Sequence, residues 1–265
     1  MPDAAADEID ADRLRDLLAA SGSEPAVDLS YLPDCASSNA ECLRTGLHAS
    51  LTLCARQSAG RGRRGNAWHS PASGNIYMSL GIRSRLPGTL LGLLPLQVGV
   101  SIAGVLHDLG YAGVGLKWPN DLMFDGRKLG GVLIESRALA DGGLLLAVGL
   151  GLNCRHAGAI ASIVERPVAS LDEILPDLDR ELLIACLARA MLADIEAFDA
   201  ERVAGLIADF LRLDGWVGQA VCVRTVEEEL HGVYDGIAHD GRLRVAVDGL
   251  GLRHFAAADI SLRRA

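Results

Sequence analysis

Between Ser50 and Ile82 the chain reads as two short apolar strands joined by a segment that suits neither helix nor strand. The first strand runs from Ser50 to Ala55. In the second, Ile76, Met78, Leu80 and Ile82 alternate with Tyr77, Ser79 and Gly81, the period of two of a strand. The joining segment opens with Gly60-Arg61-Gly62-Arg63-Arg64-Gly65. Its glycines let the backbone take φ > 0 and come close to a ligand. These six residues also satisfy G-x-G-x-x-G, the dinucleotide fingerprint, which needs a strand before it and a helix after it. Asn66 to Asn75 is turn-rich and leads into a strand, so a Rossmann fold is excluded. What remains is three arginines on a flexible strand-to-strand loop. The formal net charge of the chain is −9, so this cluster runs against the average. Guanidinium groups fit carboxylates and phosphates with paired hydrogen bonds. The loop therefore reads as a device for closing over an anion, with Trp68 as an aromatic neighbour. The competing reading is a solvated basic loop. Nothing apolar before Trp68 offsets the entropy of ordering the segment, so it is expected to be mobile until an anion binds.

Elsewhere the pattern alternates helices with hairpins. Ser37-Ser38-Asn39-Ala40-Glu41 opens a helix, with Ser38 and Glu41 at capping-box spacing. Leu90 to Leu109 is apolar nearly all round, as in a helix buried on both sides, with Pro95 near its first turn. Val114 to Trp118 is a strand, and Pro119-Asn120-Asp121 turns the chain. Leu122 to Phe124 runs into Asp125-Gly126, a hairpin signal. Lys128 to Glu135 returns, and Leu144 to Leu152 forms another strand. Successive hairpins predict an α+β fold, a mixed and mostly antiparallel sheet with packed helices. Glu181 to Ala200 and Arg202 to Arg212 read as helices. From Trp216 the texture changes to short strands (Gln219 to Arg224, Gly232 to Asp235, Leu243 to Val247) between Asp-Gly turns, a small all-β unit.

Composition excludes several classes. An acidic chain is a poor general nucleic-acid binder, which carries a basic footprint. Residues 1–24 hold one short helix or a loose tail, with Ile9, Leu14, Leu17 and Leu18 spaced for one face. They lack the basic start and apolar run of a signal peptide. Leu90 to Leu109 contains Pro95, Gln97, Ser101, His107 and Asp108, whereas a membrane span needs about 20 mostly apolar residues. A cytoplasmic protein is expected. The six cysteines show no C-x-x-C pairing, so reduced, mostly buried thiols are expected rather than zinc or disulfides.

Three motifs in order now carry a family resemblance: the Gly60 to Gly65 loop, Lys117-Trp118-Pro119-Asn120-Asp121-Leu122, and Arg127-Lys128-Leu129-Gly130-Gly131-Val132-Leu133-Ile134-Glu135. Together they resemble the biotin protein ligases, and the resemblance extends from about Tyr31 to the C-terminus. It implies a class II synthetase-like catalytic domain over 25–214 and an SH3-like barrel over 215–265. It implies an ATP-dependent ligase that adenylates biotin, then transfers it to a lysine of a biotin carboxyl carrier domain, as in acetyl-CoA carboxylase. ATP with Mg²⁺ and biotin are the implied small molecules, with no tightly bound prosthetic group. Residues 1–24 are too short and too acidic for the DNA-binding domain that some family members carry, so a monofunctional ligase without DNA binding or membrane attachment is expected. A homodimer stays open.

The resemblance also assigns residues. Arg63 and Lys128 flank the junction of carboxylate and α-phosphate and are the implied catalytic pair. Ser37, Ser38, Asn39 and Gln57 meet biotin's ureido ring, with serine at 38 where the family usually has threonine. Gly60, Arg61, Lys128, Gly131 and Leu133 complete the biotin cleft. Arg64 reaches the triphosphate, Trp68 walls the adenine, and Asn120 and Asp121 meet the nucleotide, Asp121 with its magnesium. Asn153 and Arg263 approach the nucleotide from elsewhere. Asn66 stands where the family often has another basic residue. Two alternatives remain: a lipoate or octanoate ligase or transferase of the same fold, and a non-catalytic biotin-responsive regulator.

Overall fold

The computed structural model describes residues 9–20, 25–70, 74–225, 228–257 and 261–264. Seven strands form the main sheet: β1 (Asp28–Cys35), β2 (Ser50–Gln57), β3 (Ile76–Ser84), β4 (Gly115–Lys117), β5 (Asp121–Phe124), β6 (Arg127–Ala138) and β7 (Leu144–Leu152), in the order β1-β2-β3-β7-β6-β5-β4. Only β1 and β2 pair in parallel; every other neighbour is antiparallel. This is the mixed, mostly antiparallel sheet the hairpins predicted. Asp125 (φ 48°) and Gly126 (φ 70°) close the β5–β6 hairpin with left-handed backbone at both central positions.

One face of the sheet is apolar. Met78, Leu80, Val148 and Leu150 are buried there, against α4 (Leu94–Asp108) and α6 (Arg180–Glu196). The single helix expected over Leu90 to Leu109 is two: α3 (Gly88–Leu91), then α4 with Pro95 in its first turn. A proline lacks the N–H needed deeper in a helix, so the helix restarts where that loss is free. Ahead of the sheet, α1 (Ala11–Ala19) is capped by the Asp10 carboxylate and buries Leu14 and Leu18. Arg13 binds Asp179 at 2.5 Å, so this segment is a docked helix over its described part. The helix α5 (Ala157–Val164) was not signalled, because it lacks a polar cap and is bounded by left-handed His156 and Glu165.

The other face of the sheet carries α2 (Ser38–Thr45). Its N-cap is Ser37, not Ser38, and no side chain caps it. The expected capping box is absent because the Ser38 hydroxyl turns to Gln57 and Ser79. The cysteine expectation also needs correction. Cys35 and Cys54 form a disulfide between β1 and β2 with Cα atoms 6.3 Å apart, while Cys42, Cys154, Cys186 and Cys222 are free thiols. Parallel pairing of β1 and β2 brings the two together across a sequence separation of 19, which the spacing alone does not reveal.

After α7 (Val203–Leu213), a second sheet holds β8 (Ala220–Arg224), β9 (Glu229–Ile237), β10 (Leu243–Val247), β11 (Gly251–Phe255) and β12 (Ser261–Arg264), all antiparallel, in the order β11-β10-β9-β8-β12. It is the small β unit foreseen after Trp216. It docks on β4: Trp118 Nε1 donates to the Gly241 carbonyl at 2.9 Å, and Lys117 Nζ lies 4.3 Å from the centre of the Trp216 ring. No helix among the described residues is long and apolar enough to cross a membrane.

Asp214 sits buried at the junction, accepting from the Trp216 N–H at 2.9 Å and from the Tyr234 hydroxyl. Burial pushes its carboxyl up from 3.8 to about 6, against the pull of those two hydrogen bonds. A raised folded-state value means the contribution is full below about pH 4 and is lost as pH rises through about 6. Two pH units correspond to about 3 kcal/mol at most. Asp214→Asn cannot ionise. Its melting temperature relative to wild type is therefore expected to climb between pH 4 and 7, as read by calorimetry. A gap that stays constant over that range would show that Asp214 does not titrate there.

Candidate active site

The α2 side of the main sheet is built in rows, because strand neighbours share a face. Tyr77, Gly151, Gly131 and Asp121 lie side by side on β3, β7, β6 and β5. Ser79, Gly149 and Leu133 form the next row, and Gly81, Ala147 and Glu135 the one after. The glycines of β7 are recesses. A methyl built on Gly151 would overlap the Trp68 ring, and one on Gly149 would overlap Asn39 Oδ1. The Trp68 ring thus lies against Gly151, and Asn39 against Gly149.

Over this floor opens a cleft of about 680 Å³. At one end lie Ser37, Ser38, Asn39 and Gln57. The Gln57 amide oxygen accepts from the Ser38 N–H at 2.8 Å, and its nitrogen donates to Ser70 Oγ at 3.0 Å. Asn39 Nδ2 donates to the Leu133 carbonyl at 3.1 Å and to Glu135 Oε2 at 2.8 Å. Ser79 donates to Asn39 Oδ1 at 2.6 Å, and its oxygen is 2.7 Å from that of Ser38. This is a neutral, buried, hydrogen-bonding pocket.

Toward the other end the lining becomes cationic with Arg63, Arg64 and Lys128, while Arg61 stays at the pocket end beside Glu135. Lys128 Nζ binds Asp121 Oδ1 at 2.5 Å and stands 5.4 Å from the Trp68 ring centre. Arg63 donates to Asn120 Oδ1 at 3.2 Å and to the carbonyl of Ala257, from the second sheet's side of the cleft. Burial lowers the Arg63 pKa, while the nearby Asp121 charge raises it and Arg64 lowers it further. Arginine stays charged through such shifts. Asp121 therefore bonds one cation and acts on another. Arg64 takes a left-handed backbone, φ 57°, at the tip of the loop.

The loop is a hairpin with more anchors than its composition suggested. Trp68 N–H donates to the Gly60 carbonyl at 2.9 Å, and Gly62 N–H to that of Asn66 at 2.7 Å. Arg61 pairs with Glu135 at 3.2 Å. The expectation that nothing before Trp68 offsets ordering overlooked that the arginines find acceptors on β6, at Asn120 and at Ala257.

Most residues singled out from sequence line this cleft, Gly131 and Leu133 included. Gly60 is buried beneath the loop, where a side chain would meet the Trp68 carbonyl. Asn153 is buried in a small recess behind the cleft, beside Trp68 and Lys128 and roofed by Ile160 and Val164. Arg263 lies in β12 opposite Cys222, and its side chain is outside the described part of the structure. Asp121, expected to meet magnesium, pairs with Lys128 through Oδ1. Among the described residues, one trio of metal-donor side chains gathers, Cys222, Glu229 and His231, on the second sheet. There Glu229 is already paired with Arg224.

Sequence reasoning missed Ser79, Glu135, Gly149 and Gly151. The alternation of Val148, Leu150 and Leu152 with Gly149 and Gly151 was a usable signal. Glycines on one face of a strand mark close approach.

A family model described as the biotin/lipoate A/B protein ligase family matches residues 44–153. The chain is 35% identical over 210 residues to the bifunctional ligase/repressor BirA of Escherichia coli (strain K12), covering 79% of this chain but only 65% of that protein's length. It is 34% identical over 219 residues to a biotin–[acetyl-CoA-carboxylase] ligase of Paracoccus denitrificans, covering 78% of this chain and 89% of that protein. Its fold is similar to that of a biotin protein ligase from Aquifex aeolicus solved in complex with biotin and ATP, with a TM-score of 0.75 and 25% identity over 90% of this chain and 99% of the other.

Proposed function

The chain belongs to the biotin protein ligases, and from that premise we propose that it joins biotin to a lysine of a carrier protein in two steps through biotinyl-AMP. One observation carries the reading. Asp121 holds Lys128 and acts on Arg63, so two cations converge between a neutral hydrogen-bonding pocket and the aromatic wall of Trp68. A ligand with a polar neutral head, a carboxylate tail and an adenine partner suits that order of environments.

In the first step a biotin carboxylate oxygen attacks the α-phosphorus of ATP, and the bond to pyrophosphate breaks. Negative charge passes across the carboxylate–phosphate junction. Preorganised cations there lower the barrier because they need no rearrangement as the charge moves. Magnesium arrives as part of the nucleotide substrate. Asn120 and Asp121, engaged with Arg63 and Lys128, act on the nucleotide mainly through those two cations. Biotin's ureido group is placed against Ser38, Asn39 and Gln57, and adenine beside Trp68, near Asn153. In the second step the lysine amine attacks the acyl carbon, the C–N bond forms, AMP leaves, and the amine gives up a proton. The loop over the cleft excludes water from the mixed anhydride.

The expected result is exchange of label between pyrophosphate and ATP that depends on biotin. With a biotin carboxyl carrier domain added, the carrier's mass rises by biotin less water. Exchange driven by lipoate or octanoate instead would favour the lipoyl alternative. Biotin binding without any exchange would favour a regulator.

A further inference from the structure

We propose that Glu135 is a positioning residue that fixes the hydrogen-bond direction of the biotin pocket and ties the arginine loop to it; this rests on the ligase reading above. Glu135 lies on β6 beyond the catalytic end of the strand, and its two oxygens have separate tasks. Oε2 accepts from Asn39 Nδ2 at 2.8 Å, and Oε1 faces Arg61 Nη1 at 3.2 Å. Gln57 also joins the pocket to the loop segment, through Ser38 and Ser70, but Glu135 does so with a charged group that grips one of the loop's arginines.

The first task sets the pocket. An amide can be flipped, and its neighbours decide which end is which. Glu135 and the Leu133 carbonyl can only accept, so both Asn39 N–H groups point at them. Asn39 Oδ1 is then left toward Ser79 and must accept. Ser79 has a single hydroxyl hydrogen, which Asn39 takes. Ser38, 2.7 Å from Ser79, therefore donates its own hydrogen to Ser79 or to the Gln57 oxygen 3.2 Å away. Either way the Ser38 oxygen offers lone pairs to the cleft. A ligand N–H, such as that of a cyclic urea, finds an acceptor there. The carboxylate at the end of the line thus decides the polarity of a hydroxyl three residues along it.

The second task ties in the loop. Arg61 is about half exposed (48%) and Glu135 a quarter (26%), so the ion pair is modest on its own and screened by salt. It matters through geometry. Any shift of Asn39 on ligand entry moves the carboxylate that Arg61 grips, so pocket occupancy and loop order rise together.

The two tasks are separable by substitution. Glu135→Gln keeps an oxygen for Asn39 but turns an N–H toward Arg61. Glu135→Ala removes both. The experiment is biotin titration calorimetry without nucleotide, with trypsin cleavage after Arg63 and Arg64 followed by mass spectrometry, each with and without saturating biotin. Glu135→Ala is expected to weaken biotin about 10–100-fold, the range for a hydrogen bond to a charged group, and to abolish biotin's protection of the loop. Glu135→Gln is expected to bind biotin within about threefold of wild type while protection still falls, the split that separates a link to the loop from a general loss of fold. Arg61→Ala combined with Glu135→Gln is expected to cost no more protection than either alone. Should Glu135→Ala fail to fold, the near-isosteric Glu135→Gln decides by itself. Protection equal to wild type in Glu135→Gln overturns the link, and wild-type affinity in Glu135→Ala overturns the pocket role. Wild-type protein that binds no biotin overturns the ligase reading instead.

Discussion

Lys128→Ala is expected to lower the rate of biotin-dependent pyrophosphate exchange by about 10²–10³-fold, and Arg63→Ala by a comparable factor, with the fold intact. Neither side chain is part of the apolar core. Lys128 is about a fifth exposed and reaches the cleft over Trp68. Its removal does two harmful things at once. It takes a cation from the junction where charge moves, and it leaves the Asp121 carboxylate unpaired beside the incoming triphosphate. Arg63→Ala does only the first, since its hydrogen-bond partners are neutral and Asp121 keeps its pair with Lys128. Of the two, Lys128→Ala is therefore the larger loss, and Lys128→Ala with Asp121→Asn is expected to recover part of it. Rapid-quench measurement of adenylate formation at saturating biotin and ATP checks this. Either single variant forming the adenylate at nearly the native rate would remove that residue from the chemistry.

The contrast between what sequence revealed and what it hid follows the range of the forces involved. Strand alternation at Ile76 to Ile82 and the Asp125-Gly126 turn depend on neighbours within a few residues, and they were legible. So was the arginine loop, because glycine and charge density are local. Ser79 reads only as an alternating residue of its strand, and it is wholly buried because α2 covers that face. Glu135 read as the tail of a motif, and its role exists only once Asn39, 96 residues away, is laid beside it. Arg63's bond to Ala257 spans 194 residues and requires the second sheet to dock. The Lys128–Asp121 pair, across the β5–β6 hairpin, was hidden too, because a Pro-Asn-Asp turn carries no mark of the lysine seven residues on.

Gly149→Ala is expected to raise the KM for biotin about 100-fold or more and to lower the melting temperature, because the clash breaks buried hydrogen bonds of the free protein. On backbone grounds the substitution is mild: Gly149 does not use a positive φ, and alanine in place of glycine reduces the freedom of the unfolded chain. The added methyl, however, falls on Asn39 Oδ1 and lies 3.0 Å from Asn39 Cγ and 3.1 Å from the Leu133 carbonyl. β7 cannot retreat, because β3 and β6 hold it along its whole length on both sides. Asn39 must give way, and with it go its bonds to Glu135, Leu133 and Ser79. The groups that Asn39 holds toward the ligand are then misplaced, and two or three ligand hydrogen bonds at about 1 kcal/mol each correspond to a loss of about 10²-fold in biotin affinity. Gly151→Ala provides the matched control two residues along the same face. Its methyl strikes the Trp68 ring instead, so the KM for ATP is expected to rise while that for biotin changes little. Pyrophosphate exchange at varied biotin and varied ATP reads both. A Gly149→Ala enzyme with native KM for biotin would show that Asn39 does not shape the biotin pocket. If both variants shifted both constants alike, the two ends of the cleft would not be the separate subsites that the rows of this sheet define.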